Sequence, residues 1–324
     1  MNPIQTILGA TLEALPKTLV LTYLFILGAM VGSFLNVVIA RLPAGESVVR
    51  PRSKCPKCGD MIPFWLNIPI LSWLILRGKC RACKTPISFR YPVVELLTAI
   101  LFTACGSKFG VSWATLSGVI LCGMLVAITF IDIDIWEIPD EISLPGIVIG
   151  CILRPFAFEV PWYDGLLGAA MGAGFLWLIR FGFYLLRGVE GMGMGDIKLI
   201  GTIGAFVGPI GLVPTILVSS VSGTIIGIIV LLFSKQNEEE QDEAEPNPLQ
   251  SHEREDISPL DDETSSNAID EANEMASVPQ TGEEEEEEWV PPKNAVPFGP
   301  FLSLGAIATF LMADDFRRLF LSFI

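Results

Sequence analysis

Four stretches of this chain run for about the width of a bilayer without a charged residue: Thr18–Ala40, Phe109–Ile131, Leu199–Ser234 and Ala295–Ala313. A transmembrane helix needs roughly 20 such residues. Three more stretches carry one charge each: Tyr91–Ser107 with Glu95, Ile142–Phe158 with Arg154, and Gly165–Leu186 with Arg180. Leu199–Ser234 is too long for one crossing, and Gly208-Pro209 breaks it, so it counts as two. The expectation is an all-α polytopic membrane protein of about eight transmembrane helices. A mean hydropathy of +0.54 agrees with it. Residues 1–17 hold one Lys and one Glu and no basic cluster, so the first span is expected to be a true transmembrane helix rather than a cleaved signal.

The formal charge of −15 misleads until it is divided along the chain. Residues Lys235–Lys293 hold 21 Asp and Glu against three Lys and Arg, including the run Glu283–Glu288; the remainder carries a net charge of +3. This acidic segment has no periodic apolar face, so it is expected to be a disordered insert, tethered between the last two spans. Loop 41–90 is the opposite. It holds ten of the 21 basic residues and only two acids, Glu46 and Asp60, which places it in the cytoplasm by the positive-inside rule. Counting spans from there puts the N-terminus outside, and linkers Asp132–Glu141 and Arg187–Lys198 in the cytoplasm with the acidic segment. Arg317 and Arg318 fit this less well.

Within loop 41–90, Cys55-Pro-Lys-Cys58 and Cys80-Arg-Ala-Cys83 form two CxxC knuckles 21 residues apart. Four thiolates in a tetrahedron suit Zn²⁺ and leave no open position for catalysis, so the site would be structural. Disulfides or free thiols are the competing reading, and a reducing cytoplasm disfavours disulfides. Cys105, Cys122 and Cys151 fall inside apolar spans and read as small core residues.

The other cytoplasmic linkers carry acids. Asp132, Asp134, Glu137, Asp140 and Glu141 fall within ten residues. Asp140 reads as an N-cap of the following helix. Asp132 ends an apolar helix at the terminus where the helix dipole disfavours an anion, so something must reward it. A second acid, Asp196, follows Gly191, Gly193 and Gly195 at the mouth of another span. Glycines let a second backbone approach closely, so this loop could hold an extended peptide beside Asp196. Two carboxylates at close range share one proton, allowing one to activate water while the other protonates the scissile group. The only histidine, His252, lies in the acidic segment, so no Ser-His or Cys-His catalyst can be built. These residues leave two readings open: an aspartic protease, or a membrane carrier whose carboxylates relay ions.

Motifs along most of the chain then narrow the choice: Gly32–Pro43, the four cysteines, Asn67-Ile-Pro69, Ser72-Trp-Leu74, Arg77-Gly-Lys-Cys80, Arg90–Leu97, Asp132, Pro139-Asp140, Leu144-Pro145, Gly191–Leu199 and Pro297-Phe-Gly-Pro300. In these the chain resembles the type IV prepilin leader peptidases, bacterial membrane aspartic peptidases of the GxGD type. The resemblance implies a catalytic pair at Asp132 and Asp196 on the cytoplasmic face of the inner membrane. It also implies cleavage of a short basic leader after Gly from prepilins or pseudopilins, and often N-methylation of the new N-terminus with S-adenosylmethionine. Asn36, Gly78, Lys79 and Glu95 are candidates for the methyltransferase region; each has an equally good structural reading in helix packing, knuckle or cap. Partners implied are the substrates, the bilayer, and a type IV pilus or type II secretion machinery; no nucleic acid is expected. The domains expected are 1–90 (first span and four-cysteine loop), 91–234 (peptidase core), 235–293 (insert) and 294–324 (last span). A non-catalytic assembly protein of a pilus or secretion system is a further alternative. The insert departs from the family's short connection but interrupts no motif.

Overall fold

The computed structural model describes residues 16–50, 54–55, 57–61, 63, 68–188, 193–242 and 296–312. It is all-helical: α1 (Lys17–Arg41), the short α2 (Leu71–Ile75), α3 (Arg90–Phe109), α4 (Trp113–Ile135), α5 (Asp140–Phe158), α6 (Asp164–Arg187), α7 (Met194–Asp242) and α8 (Gly299–Leu311). Six of these, α1 and α3 to α7, are long and apolar enough to cross a membrane, α7 over Met194–Leu232; α8 is a shorter apolar helix. The chain divides into two compact units, one of residues 1–226 with 296–324 and one of residues 227–295. Of the second unit the helical backbone of 227–242 is described; the rest of the acidic segment, 243–295, lies outside the described residues.

Most sequence-derived spans match a helix to within a few residues. The starts differ most: α4, expected at Phe109, begins at Trp113, α7 begins at Met194, ahead of Leu199, and α8 at Gly299, after Ala295. Gly110 turns left-handed (φ 63°), and Ser112 caps α4 by accepting the Thr115 N–H at 3.3 Å. Leu199–Ser234 breaks where expected: α7 is two helical segments meeting at Gly208, whose φ of 72° and ψ of 177° are not helical.

In the first unit α4 is the central element, packed by α1, α3, α5 and α8. Its buried face continues into a core that includes Leu121, Leu125 and Ile128 of α4, Ile203 and Phe206 of α7, and Leu302 and Phe310 of α8. Small residues let the other helices close on one another. A Cβ on Gly28 or Gly32 of α1 would lie 2.7 Å from the Cα of Ala99 or Glu95 in α3. Gly168 of α6 and Gly204 of α7 touch backbone to backbone in the same way, with no room for a Cβ on either.

At the α5–α6 end of the first unit a partly buried ion pair holds the break in α7. Arg154 Nε donates to Asp164 Oδ2 at 2.8 Å, and Nη1 donates to the Phe206 carbonyl at 2.8 Å. Pro209 has no N–H to continue the helix, so a guanidinium takes up a carbonyl at the end of the first segment, where the dipole favours a cation. A Cβ on Gly208 would collide with Arg154 Nη2.

Candidate active site and metal centre

Asp132 lies in the last turn of α4 and is buried, 6% exposed. The helix runs on to Ile135 and closes at Trp136, whose left-handed backbone (φ 58°) donates its N–H to the Asp132 carbonyl at 3.0 Å. The carboxylate finds its compensation across the fold. Gly299, first residue of α8, donates its backbone N–H to Asp132 Oδ2 at 3.0 Å, so the positive end of one helix meets the acid at the negative end of another. A Cβ on Gly299 would collide with Asp132 Oδ2, so a larger residue there would have to displace the carboxylate.

Asp196 lies in the first turn of α7, half-buried. It and Asp132 are close enough for their charges to repel. Two ion pairs flank the carboxylates. Arg90 Nη1 binds both oxygens of Asp134, at 2.8 and 2.7 Å, and Nη2 donates to the Phe130 carbonyl at 3.0 Å. Lys198 Nζ binds both oxygens of Asp140, at 2.6 and 2.8 Å. Asp140 is therefore no N-cap: Pro139 occupies that place, and Asp140 is the first helical residue of α5, with no capping hydrogen bond.

Of the glycine loop, Gly191 lies outside the described residues. Gly193 is exposed, and Gly195 packs against Ile138, 3.0 Å from where its Cβ would stand. Neither has a left-handed φ; Gly195 fits closely between α7 and the α4–α5 linker, where a Cβ would have to push Ile138 aside.

Each of the four methyltransferase candidates has a structural contact of its own. Asn36 is buried between α1 and α3, its Nδ2 donating to the Tyr91 carbonyl at 3.1 Å. Glu95 is buried and accepts the Ile70 N–H at 2.7 Å, holding a residue with φ 63° at the start of α2. Gly78, at φ 66°, is buried under the Trp73 ring, while Lys79 is exposed.

The cysteines converge. The Sγ atoms of Cys55, Cys58, Cys80 and Cys83 all lie within 4.8 Å of one another. The closest pairs are Cys55 with Cys83 at 3.8 Å and Cys58 with Cys80 at 3.9 Å. A tetrahedron with metal–sulfur bonds of about 2.3 Å has edges near 3.8 Å, so the cluster could hold a metal ion such as zinc. The two knuckles repeat one another. Cys55 N–H donates to the Asp60 carbonyl and Gly59 N–H to the Cys55 carbonyl, both at 2.9 Å; Cys80 N–H to Thr85 (2.8 Å) and Lys84 N–H to Cys80 (3.1 Å) are their counterparts. Gly59 and Lys84 are both left-handed, at 72° and 61°. The hydrogen bond with the Thr85 hydroxyl brings the Cys83 thiol down to about 6. Against a lowering hydrogen bond from the Asp60 backbone, desolvation and the three neighbouring sulfurs push Cys58 up to about 12. The four sulfurs cannot all be thiolates without a cation among them.

Residues 26–109 match the family model described as the bacterial peptidase A24 N-terminal domain, and residues 119–228 match that of the type IV leader peptidase family. A Myxococcus xanthus protein named prepilin leader peptidase/N-methyltransferase is 38% identical over 306 residues, 91% of each chain.

The chain belongs to the type IV leader peptidase family.

Two further proteins with the same name are similar. One from Neisseria gonorrhoeae is 43% identical, over 63% of this chain and 80% of its own; one from Aeromonas hydrophila is 40% identical, over 66% and 82%. No solved structure matches significantly. In this leader peptidase, Gly299 is the site residue that sequence reasoning passed over. Its signal was present, a Gly-Pro at the mouth of the last span, but nothing local ties it to Asp132, 167 residues earlier.

Proposed function

We propose that Asp132 and Asp196 are the catalytic pair of a membrane aspartic peptidase that removes the basic leader of type IV prepilins or pseudopilins after Gly and methylates the new N-terminus. The observation that carries this reading is that two acids from distant parts of the chain approach one another, with the α8 N-terminus fixed on one of them. One carboxylate takes a proton from water as it attacks the scissile carbonyl, while the other, protonated, donates to the carbonyl oxygen; as the intermediate collapses the first passes its proton to the leaving amine and the second recovers its own. Products are a leader ending in a carboxylate and a mature chain with a free α-amine. The Gly299 N–H holds Asp132 in one orientation throughout. Gly191, Gly193 and Gly195 would supply the loop beside which the substrate backbone lies.

The substrate's apolar helix would remain in the bilayer, which suits acids at helix ends rather than mid-span. That placement and the family membership leave the carrier and assembly-protein readings without support. The loop's excess of basic residues argues for a cytoplasmic active site on the inner membrane. S-adenosylmethionine, when bound, would supply an electrophilic methyl group to the new amine. Asn36, Gly78, Lys79 and Glu95 belong to the region (1–90 and the start of α3) that would serve it. Zinc on Cys55, Cys58, Cys80 and Cys83 would fix the loop's shape. Residues 91–234 form the peptidase core in this reading, 294–324 the last span and 235–293 an acidic tether, and the physiological partner is a pilus or type II secretion machinery.

The test is mass analysis of a purified prepilin incubated with the enzyme, with and without S-adenosylmethionine. Loss of the leader alone is expected without it, and a further single methyl group with it. Asp132→Asn and Asp196→Asn should each abolish cleavage while the protein still inserts; normal processing by Asp196→Asn would sink the assignment.

A further inference from the structure

Many helical hydroxyls among the described residues bond back to their own helix. Thr98, Thr103, Ser219 and Thr215 each donate to the carbonyl four residues earlier. Ser303 of α8 does not. Its hydroxyl is buried, the residue being 2% exposed, and it has no partner among the described residues. An unsatisfied buried hydroxyl is costly, and a water or ligand is the ordinary explanation.

Its place in the fold says what it could serve. Along α8 the spacing puts Gly299, Ser303, Ala306 and Phe310 on one stripe. Gly299 touches the Asp132 carboxylate at one end, and the Phe310 ring touches Gly118 of α4 at the other. This stripe therefore faces α4, with Ser303 one turn beyond Gly299. Gly305 and Thr309, on the other side of α8, meet Ser219 and Thr215 of α7 instead. Of the charged groups on the packed elements, Asp134 is bound by Arg90 and Lys198 by Asp140; on α3, which also touches α8, Glu95 accepts the Ile70 N–H and Lys108 stands in the last turn. Asp132 and Asp196 are the acids at the α8 N-terminal end.

We propose that Ser303 is a positioning residue of the aspartate pair, its hydroxyl holding a water against the face of Asp132 that Gly299 leaves open. This rests on the reading of Asp132 and Asp196 as the catalytic pair. The hydroxyl and the carboxylate supply two of the two to four partners that a buried water needs. The water donates to the carboxylate, favours its charged form and keeps it aligned for proton abstraction.

Ser303→Ala removes the hydroxyl without adding bulk. The expected result is kcat lowered about tenfold with KM unchanged, the acid limb of the pH profile moved to higher pH, and recovery in Ser303→Thr. The thermal midpoint should not fall. Ser117→Ala is the control: Ser117 is equally buried and unpartnered, but stands about 22 Å further along α4 from Asp132, and its loss should leave kcat and the profile unchanged. If Ser303→Ala keeps full kcat and an unshifted profile while Asp132→Asn is inactive, the proposal is overturned. If Asp132→Asn itself cleaves normally, the catalytic reading has failed instead.

Discussion

The backbone N–H of Gly299 donates to Asp132 Oδ2 at 3.0 Å, and no side chain larger than hydrogen fits between them. Gly299→Ala should lower kcat/KM for prepilin cleavage about a hundredfold or more by displacing the carboxylate. Helix content and membrane insertion should be unchanged. A prepilin cleavage assay with circular dichroism of the purified variant measures both.

Neighbouring acids should behave otherwise. Asp134 and Asp140 are paired with Arg90 and Lys198, each partner a third to a half exposed. Exposed pairs contribute only about 0.2 to 1 kcal/mol, so Asp134→Asn and Asp140→Asn should cleave within about fivefold of wild type. A loss as deep as that of Asp132→Asn, in the same assay, would place a third carboxylate in the chemistry.

At the cysteine cluster, elemental analysis should find one zinc per chain. Because Cys58 lies at about 12 and Cys83 at about 6, loading stripped protein with zinc near neutral pH must displace the Cys58 proton. Calorimetry in two buffers of different ionisation enthalpy should therefore report proton release. Cys55→Ser with Cys58→Ser should bind no zinc and lose methylation more severely than cleavage.

The matching knuckles give an asymmetric test. Gly59 and Lys84 share a left-handed backbone, which costs a residue with a Cβ roughly 1 kcal/mol more than glycine. Gly59→Ala should lower the thermal midpoint for zinc loss, and Lys84→Gly should leave it equal or higher.

The partly buried pair at the break of α7 predicts an effect far from the chemistry. Arg154→Leu would leave Asp164 and the Phe206 carbonyl without their donor, at a cost of about 1 to 3 kcal/mol. Thermal unfolding in detergent should show it.

Periodicity and breakers made the helices legible: Gly208-Pro209 marked the break in α7 because a proline N–H is missing wherever it sits. The start of α4 was misplaced because Phe109 is as apolar as the span behind it, and only the Ser112 cap sets the boundary. Asp132 was legible as a problem, an anion at the wrong end of a helix; its solution was not, because Gly299 carries no side chain and acts through a main-chain N–H that every residue but proline has. Asp140 was misread as a cap because its partner, Lys198, comes from another helix. The cysteines were legible in full, since four ligands at knuckle spacing leave little freedom.

The donor to Asp132 comes from the last described helix, 167 residues after the acid it holds. During synthesis the chain therefore carries both acids in place well before the group that orients one of them exists. Until α8 docks, Asp132 lacks the main-chain donor that holds it in the finished fold. The connection that delivers α8 can also lengthen at small cost, since doubling a flexible loop adds only about 0.6 kcal/mol of closure entropy. A long acidic insert could thus settle between α7 and α8 without unmaking the site that α8 completes.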